Sequence, residues 1–148
     1  MAVLSGFGVE LGKELDSRVT LSDPCMVMIS ASHPLAAKKE IHPRELKGMP
    51  IVLNRAQDSQ PSAGLIAGMY ANMGLRENKR MYADDFYSIA LIINTGIAFS
   101  IMPASVACWG IDGVVFRPVQ GFKAKARTLL VYPVSYTHLR AHETLSDL

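Results

Sequence analysis

Few side chains in this sequence stand where they could do chemistry. His138 and His142 are four apart, which on a helix would aim two imidazoles at one metal ion. His33 could serve as a general base, but no Ser, Cys or carboxylate stands at a recognisable spacing from it. A structural or solvent-facing histidine is therefore expected there. Cys25 and Cys108 lie far apart and show no metal-ligand spacing, so two buried, reduced thiols are expected. Arg55 falls in the polar stretch 54–62, ahead of a helical segment capped by Ser62. A guanidinium beside unsatisfied helix N–H groups could receive an anion, the alternative being an arginine that simply faces water. No P-loop, S-x-x-K or nucleophile–base–orienter set can be assembled. The chemistry on offer is binding rather than turnover, with no enzyme, metal or cofactor implied.

The segment that must organise these residues is 84–103, DDFYSIALIINTGIAFSIMP. Asp84 and Asp85 can cap a helix start and face the positive end of its dipole. Phe86, Ile89, Ile92 and Ile93 then recur at helical spacing. Gly96 suits the left-handed stop of a helix. The run 97–102 is short and apolar, a buried strand that Pro103 closes. A helix feeding a buried strand through a glycine turn is a unit of an α/β sheet.

Around it, 25–30, 50–53, 81–83, 114–119 and 127–132 read as short apolar strands, and 63–73 as a small-residue helix. The face of Ala63, Gly64, Ala67, Gly68 and Ala71 suits close helix packing or a subunit contact. Residues 10–17 read as a turn of helix, 21–24 and 76–80 as turns, and 43–46 as a helical turn opened by Pro43. Residues 104–108 read as one more helical turn, and Trp109 as a packing residue. The glycines of GFGVELG (6–12) lack the dinucleotide spacing and read as a loop.

Composition bounds the rest. With 148 residues, 49% hydrophobic and 19% charged, the chain should fold as one modest domain. A net charge of +2 leaves no nucleic-acid footprint, and no apolar run approaches a membrane span or a secretory signal. A cytoplasmic location is expected.

The tail VSYTHLRAHET (134–144) resembles the in-frame translation of a sequencing-library adapter, and 145–148 fits an index running into the next adapter piece. On that reading 134–148 is set aside, the histidine pair loses its meaning, the gene was cut near Pro133, and Met1 is an internal methionine.

The ordered motifs DPCMVMISASHPLA, ELKGMPIVLN, ADDFYSIALIINTGIAFSIMP, VVFRPV and RTLLVYP resemble the effector-binding domains of LysR-type transcriptional regulators. The resemblance covers nearly all of 1–133. One departure is visible: Ala98 stands where the family's second turn glycine is expected, either narrowing a ligand cleft or adjusting packing. The family's N-terminal winged helix-turn-helix and the first half of its first subdomain have no counterpart here.

The resemblance implies a periplasmic-binding-protein type 2-like lobe, a mixed sheet flanked by helices, with the second lobe incomplete. Residues 1–31 would be a remnant of the first subdomain, 32–119 the second, and 120–133 a return strand. It implies a cleft at a hinge for a small, often anionic effector, DNA contact only through the missing N-terminal domain, and a homo-oligomer in the full-length regulator. The effector residues expected are Asn54, Arg55 and Gln57 for hydrogen bonds and charge, Asp85 and Phe86 at the helix start, and Gly96, Ile97 and Phe99 at the turn. Ile97 and Phe99 could equally be plain strand core. A solute-binding protein of a transport system with the same lobes is the competing reading.

Overall fold

The computed structural model describes residues 2–6, 15–60, 63–123 and 125–133. The chain forms two compact units, one from residues up to Ser22 together with those from Ala126 onward, the other spanning Asp23–Lys125. In the first unit β1 (Ala2–Gly6) pairs antiparallel with β7 (Lys125–Pro133), from Ala2 opposite Val131 to Gly6 opposite Arg127.

β2 (Leu15–Ser30) begins in the first unit and ends in the second. It is one strand of 16 residues, so the turn expected at 21–24 is wrong, and Leu15–Ser17 are strand rather than helix. Residues 10–14 lie outside the described residues. Local composition misleads here because ladder bonds hold the strand. Cys25–Met28 pairs antiparallel with β5 (Ser100–Pro103), and Met26–Ser30 with β6 (Val114–Pro118) on the other side. Pro118 is the last residue of β6, as its missing N–H requires.

Two 3₁₀ turns follow, Pro34–Ala37 and Pro43–Leu46, each with proline in its first turn. His33 and His42 cap them, their Nδ1 atoms accepting the Leu35 and Arg44 N–H groups at 3.1 and 3.2 Å. His33 is thus a structural histidine.

β3 (Ile51–Asn54) runs parallel to β4 (Arg80–Ala83), with Ile51 opposite Arg80 and Asn54 opposite Ala83. β3 is followed by α1 (Arg55–Asp58) and α2 (Ala63–Asn72), β4 by α3 (Phe86–Asn94). Alternation splits β3 between two faces. Val52, with Ala83 of β4, joins Ile89, Ala90 and Ile93 of α3 in a core completed by Met28, Ala98 and Val114. On the other face Tyr70 of α2 meets the fully buried Phe99 edge-on, ring centroids 6.4 Å apart. Burying a ring of that size contributes about 1.5–3 kcal/mol. Ala98 has no exposed surface and belongs to the α3 core, so its methyl adjusts packing.

β3 and β5 run in the same direction and meet at one bridge, Ile51 beside Phe99, with Val52 N–H donating to the Phe99 carbonyl at 2.9 Å. Beyond it side chains replace the ladder. Ser100 Oγ donates to the Val52 carbonyl at 2.8 Å, and the Tyr70 hydroxyl accepts the Ile101 N–H at 3.1 Å.

Other expectations are corrected. Cys25 is buried but Cys108 is exposed, and no disulfide joins them. Trp109, at the end of a 3₁₀ turn over Ala104–Trp109, sets its ring against Phe86 at 4.8 Å yet remains 64% exposed. The small face of α2 is not tightly packed: a Cβ on Gly64 or Gly68 would meet nothing within 4 Å.

Candidate functional site

β3, β4 and β5 point the same way, so Asn54, Ala83 and Pro103 mark one edge of the second unit. Strand C-termini followed by helix starts are where open α/β sheets present backbone donors and loops to ligands.

Asn54 ends β3 and begins α1: its Oδ1 accepts the Ala56 N–H at 2.9 Å. Residues 55–58 are therefore a helical turn, where a polar loop was expected. The cap turns Arg55 toward the next strand end, where Nε donates to Asp84 Oδ1 at 2.8 Å. The Arg55 guanidinium also stands 6.0 Å from the centre of the Tyr82 ring. Asp85 is committed to α3, its carboxylate accepting the Ser88 N–H at 2.7 Å. That bond above all holds its carboxyl below the usual Asp range.

Gln57 turns to a recess of about 340 Å³, open mouth included, whose wall also holds Leu53, Asn54, Ile66, Tyr70 and Arg80. Burial pushes the Tyr70 hydroxyl up to about 12. Pro61 and Ser62, the expected cap of α2, lie outside the described residues.

The expected site residues thus separate. Asn54, Arg55 and Asp85 gather at one edge, with Gln57 beside them. Phe86 is half-buried, packed between the α3 core and Trp109. Phe99 is wholly buried core. Gly96 and Ile97 precede β5 and lie at its opposite end, Ile97 58% exposed. Gly96 has φ +86°, the conformation that stops α3. That end is closed by Ser30, whose hydroxyl donates to the Asn94 carbonyl at 3.2 Å and bonds Ser32 Oγ at 2.9 Å. Sequence reasoning missed Asp84 as the partner of Arg55, although two adjacent acids leave one spare once the other caps a helix. Among the described residues no group of three His, Cys, Asp or Glu side chains could hold a metal ion, and no helix is long and apolar enough to cross a membrane.

An α/β unit with a mixed sheet, helices on both faces and polar turns gathered at the strand ends has a periplasmic-binding-protein type 2-like fold. The chain is a member of the LysR substrate binding domain family, whose model matches residues 2–148. The match runs through 134–148 as well as through the domain before it. The chain is 25% identical over 108 residues to the Hca operon transcriptional activator HcaR of Escherichia coli (strain K12), covering 73% of this chain. It is likewise 25% identical over 109 residues to the HTH-type transcriptional regulator TtuA of Agrobacterium vitis, covering 74% of this chain. It spans 36% of the length of each of these relatives. Among solved structures it superposes on the reduced OxyR regulatory domain of Pseudomonas aeruginosa with a TM-score of 0.72 at 16% identity, covering 98% of this chain and 69% of that one. The BenM effector binding domain with its effector benzoate gives a TM-score of 0.72 at 15% identity, covering 95% and 70%. These matches favour the regulator reading over the transport one.

Proposed function

We propose that this chain is the effector-sensing part of a LysR-type transcriptional regulator and that it holds a small, anionic molecule at the edge formed by Asn54, Arg55, Asp84 and Asp85. The observation that carries the reading is the convergence of three strand C-termini on one edge, with a guanidinium and a capped helix start beside them. Family membership supports the sensing role. Ala98 and Phe99, buried in the core, take no part; Gly96 and Ile97 shape the far end of β5. In the whole regulator, DNA contact falls to a separate domain, and the effector acts by binding one arrangement of a homo-oligomer more tightly than another. A location in the cytoplasm, where such a regulator meets both effector and DNA, goes with that role.

Chemical-shift mapping with a panel of small carboxylates tests the site. Perturbations are expected at residues 54–57, 84–86 and 103–104. Perturbations confined to 94–98 would move the site to the opposite end and refute the assignment.

A further inference from the structure

The Arg55–Asp84 pair links two turns delivered by different strands, and its chemistry is lopsided. Asp85 is spent on capping α3, whereas Asp84 makes no other hydrogen bond or ion pair among the described residues. Arg55 uses only Nε in the pair, so the donors on its two Nη groups are not engaged among the described residues. The Tyr82 ring, 6.0 Å from the guanidinium carbon, is a contact that does not depend on Asp84. Both partners are largely in water, their side chains 64% and 78% exposed, which makes the pair easy to open.

We infer that Asp84 is a built-in counter-ion of the effector site, neutralising Arg55 until a carboxylate-bearing effector displaces it. The inference rests on the effector edge proposed above. A ligand carboxylate offers two parallel oxygens to the Nη side of Arg55, a fork-to-fork geometry stronger than a single Nε contact. Once it docks, Asp84 faces a like charge across a few ångströms and swings outward. Tyr82 keeps the guanidinium in place during the exchange. Two consequences follow. A neutral amide of the same shape cannot drive the exchange, so the site selects for charge. Opening the pair also uncouples the turn after β3 from the turn after β4, a difference between bound and unbound arrangements on which a ligand can act.

The test is a titration of the 148-residue chain with benzoate, and with benzamide as its neutral counterpart, followed by amide and arginine Nε resonances. The expected result is that benzoate shifts the Arg55 Nε signal and that benzamide does not. Asp84→Asn should bind benzoate about two- to fivefold more tightly than the parent chain, the cost of opening an exposed pair being removed. Asp84→Glu should return the affinity toward the parent value, and Arg55→Gln should abolish binding. If Arg55→Gln loses benzoate while Asp84→Asn binds no more tightly, the counter-ion role is overturned and the effector edge stands. If benzoate moves no resonance in 54–57 or 84–86, both ideas fall. Equal binding of benzamide overturns the charge selection. The spectra report folding of each variant, and the exposure of Asp84 makes its substitutions mild.

Discussion

Tyr70 supplies a hydrogen-bond acceptor where strand pairing stops, so Tyr70→Phe should cost more than an ordinary hydroxyl deletion. The ring stays, and with it the edge contact to Phe99. The Ile101 N–H, however, loses its acceptor in a place where Tyr70 is 3% and Ile101 8% exposed. Leaving a buried backbone donor unmade costs about 1–3 kcal/mol, a sizeable share of the 5–15 kcal/mol that holds a typical domain together. The phenol also makes a pH signature. Its folded value, about 12, lies above the ordinary tyrosine value of 10.0. A group raised on folding contributes stability that is complete below its unfolded value and is lost as pH climbs through the folded one. Between the two values the unfolded chain gives up a proton that the native chain keeps. By about pH 11 this amounts to roughly 1.4 kcal/mol lost from the parent protein. Urea unfolding of both proteins at about pH 8 and about pH 11 checks both parts, since the variant lacks the phenol and should show that much less alkaline loss. Amide exchange at Ile101 gives the local readout. A stability difference below about 0.5 kcal/mol at neutral pH, with Ile101 still protected, would refute the argument that the hydroxyl stands in for a ladder bond.

Gly113→Ala should destabilise the second unit by about 1–3 kcal/mol, because φ is +84° and the new Cβ would lie 2.5 Å from Asn94 Oδ1. Gly48→Ala, at φ +82° with nothing within 4 Å, isolates the backbone cost alone and should be milder in the same urea unfolding experiment. At the start of α3, Asp85→Ala should lower the thermal midpoint at neutral pH, while Asp85→Asn should largely keep it because asparagine also caps. The carboxyl is depressed on folding, chiefly by the Ser88 N–H, so its contribution is present above the unfolded value and disappears as pH falls through the folded one. Thermal midpoints of parent and Asp85→Ala should therefore draw together in acid; a constant gap would argue against the cap.

The parts of this fold legible in the sequence are those whose causes are local. α3 announced itself through a carboxylate cap, apolar spacing and a glycine stop, and all three do those jobs in the structure. β2 did not, because Ser22-Asp23-Pro24 carries turn chemistry while the strand it lies in is built by pairing with segments distant in sequence, β7 and, from Cys25 to Ser30, β5 and β6. Asn78 was equally opaque. It sits in a charged turn, yet it is buried because its amide donates to the Leu46 and Met49 carbonyls at 2.7 and 2.9 Å. A polar residue that stitches two distant turns together leaves no periodic trace. The Arg55–Asp84 pair depends on the β3–β4 register, which nothing in either segment specifies alone.

Strand direction is what sorts the expected site residues. A glycine turn attracts attention as a ligand contact, since glycine lets a backbone approach closely. Gly96 instead ends a helix and lies at the entry of β5, where the Ser30 hydroxyl, itself bonded to Ser32, joins the Asn94 carbonyl at the end of α3. Gly113 approaches Asn94 so closely there that no side chain fits. The exit ends of the same strands carry exposed turns, a single exposed ion pair and a capped helix start. A sensing unit needs one end that holds its geometry and another whose contacts exchange cheaply with a ligand, because a ligand shifts only those equilibria it contacts differently in two states. The crowded entry end meets the first need and the Arg55–Asp84 edge the second, which is the physical reason for proposing the effector where the strands finish.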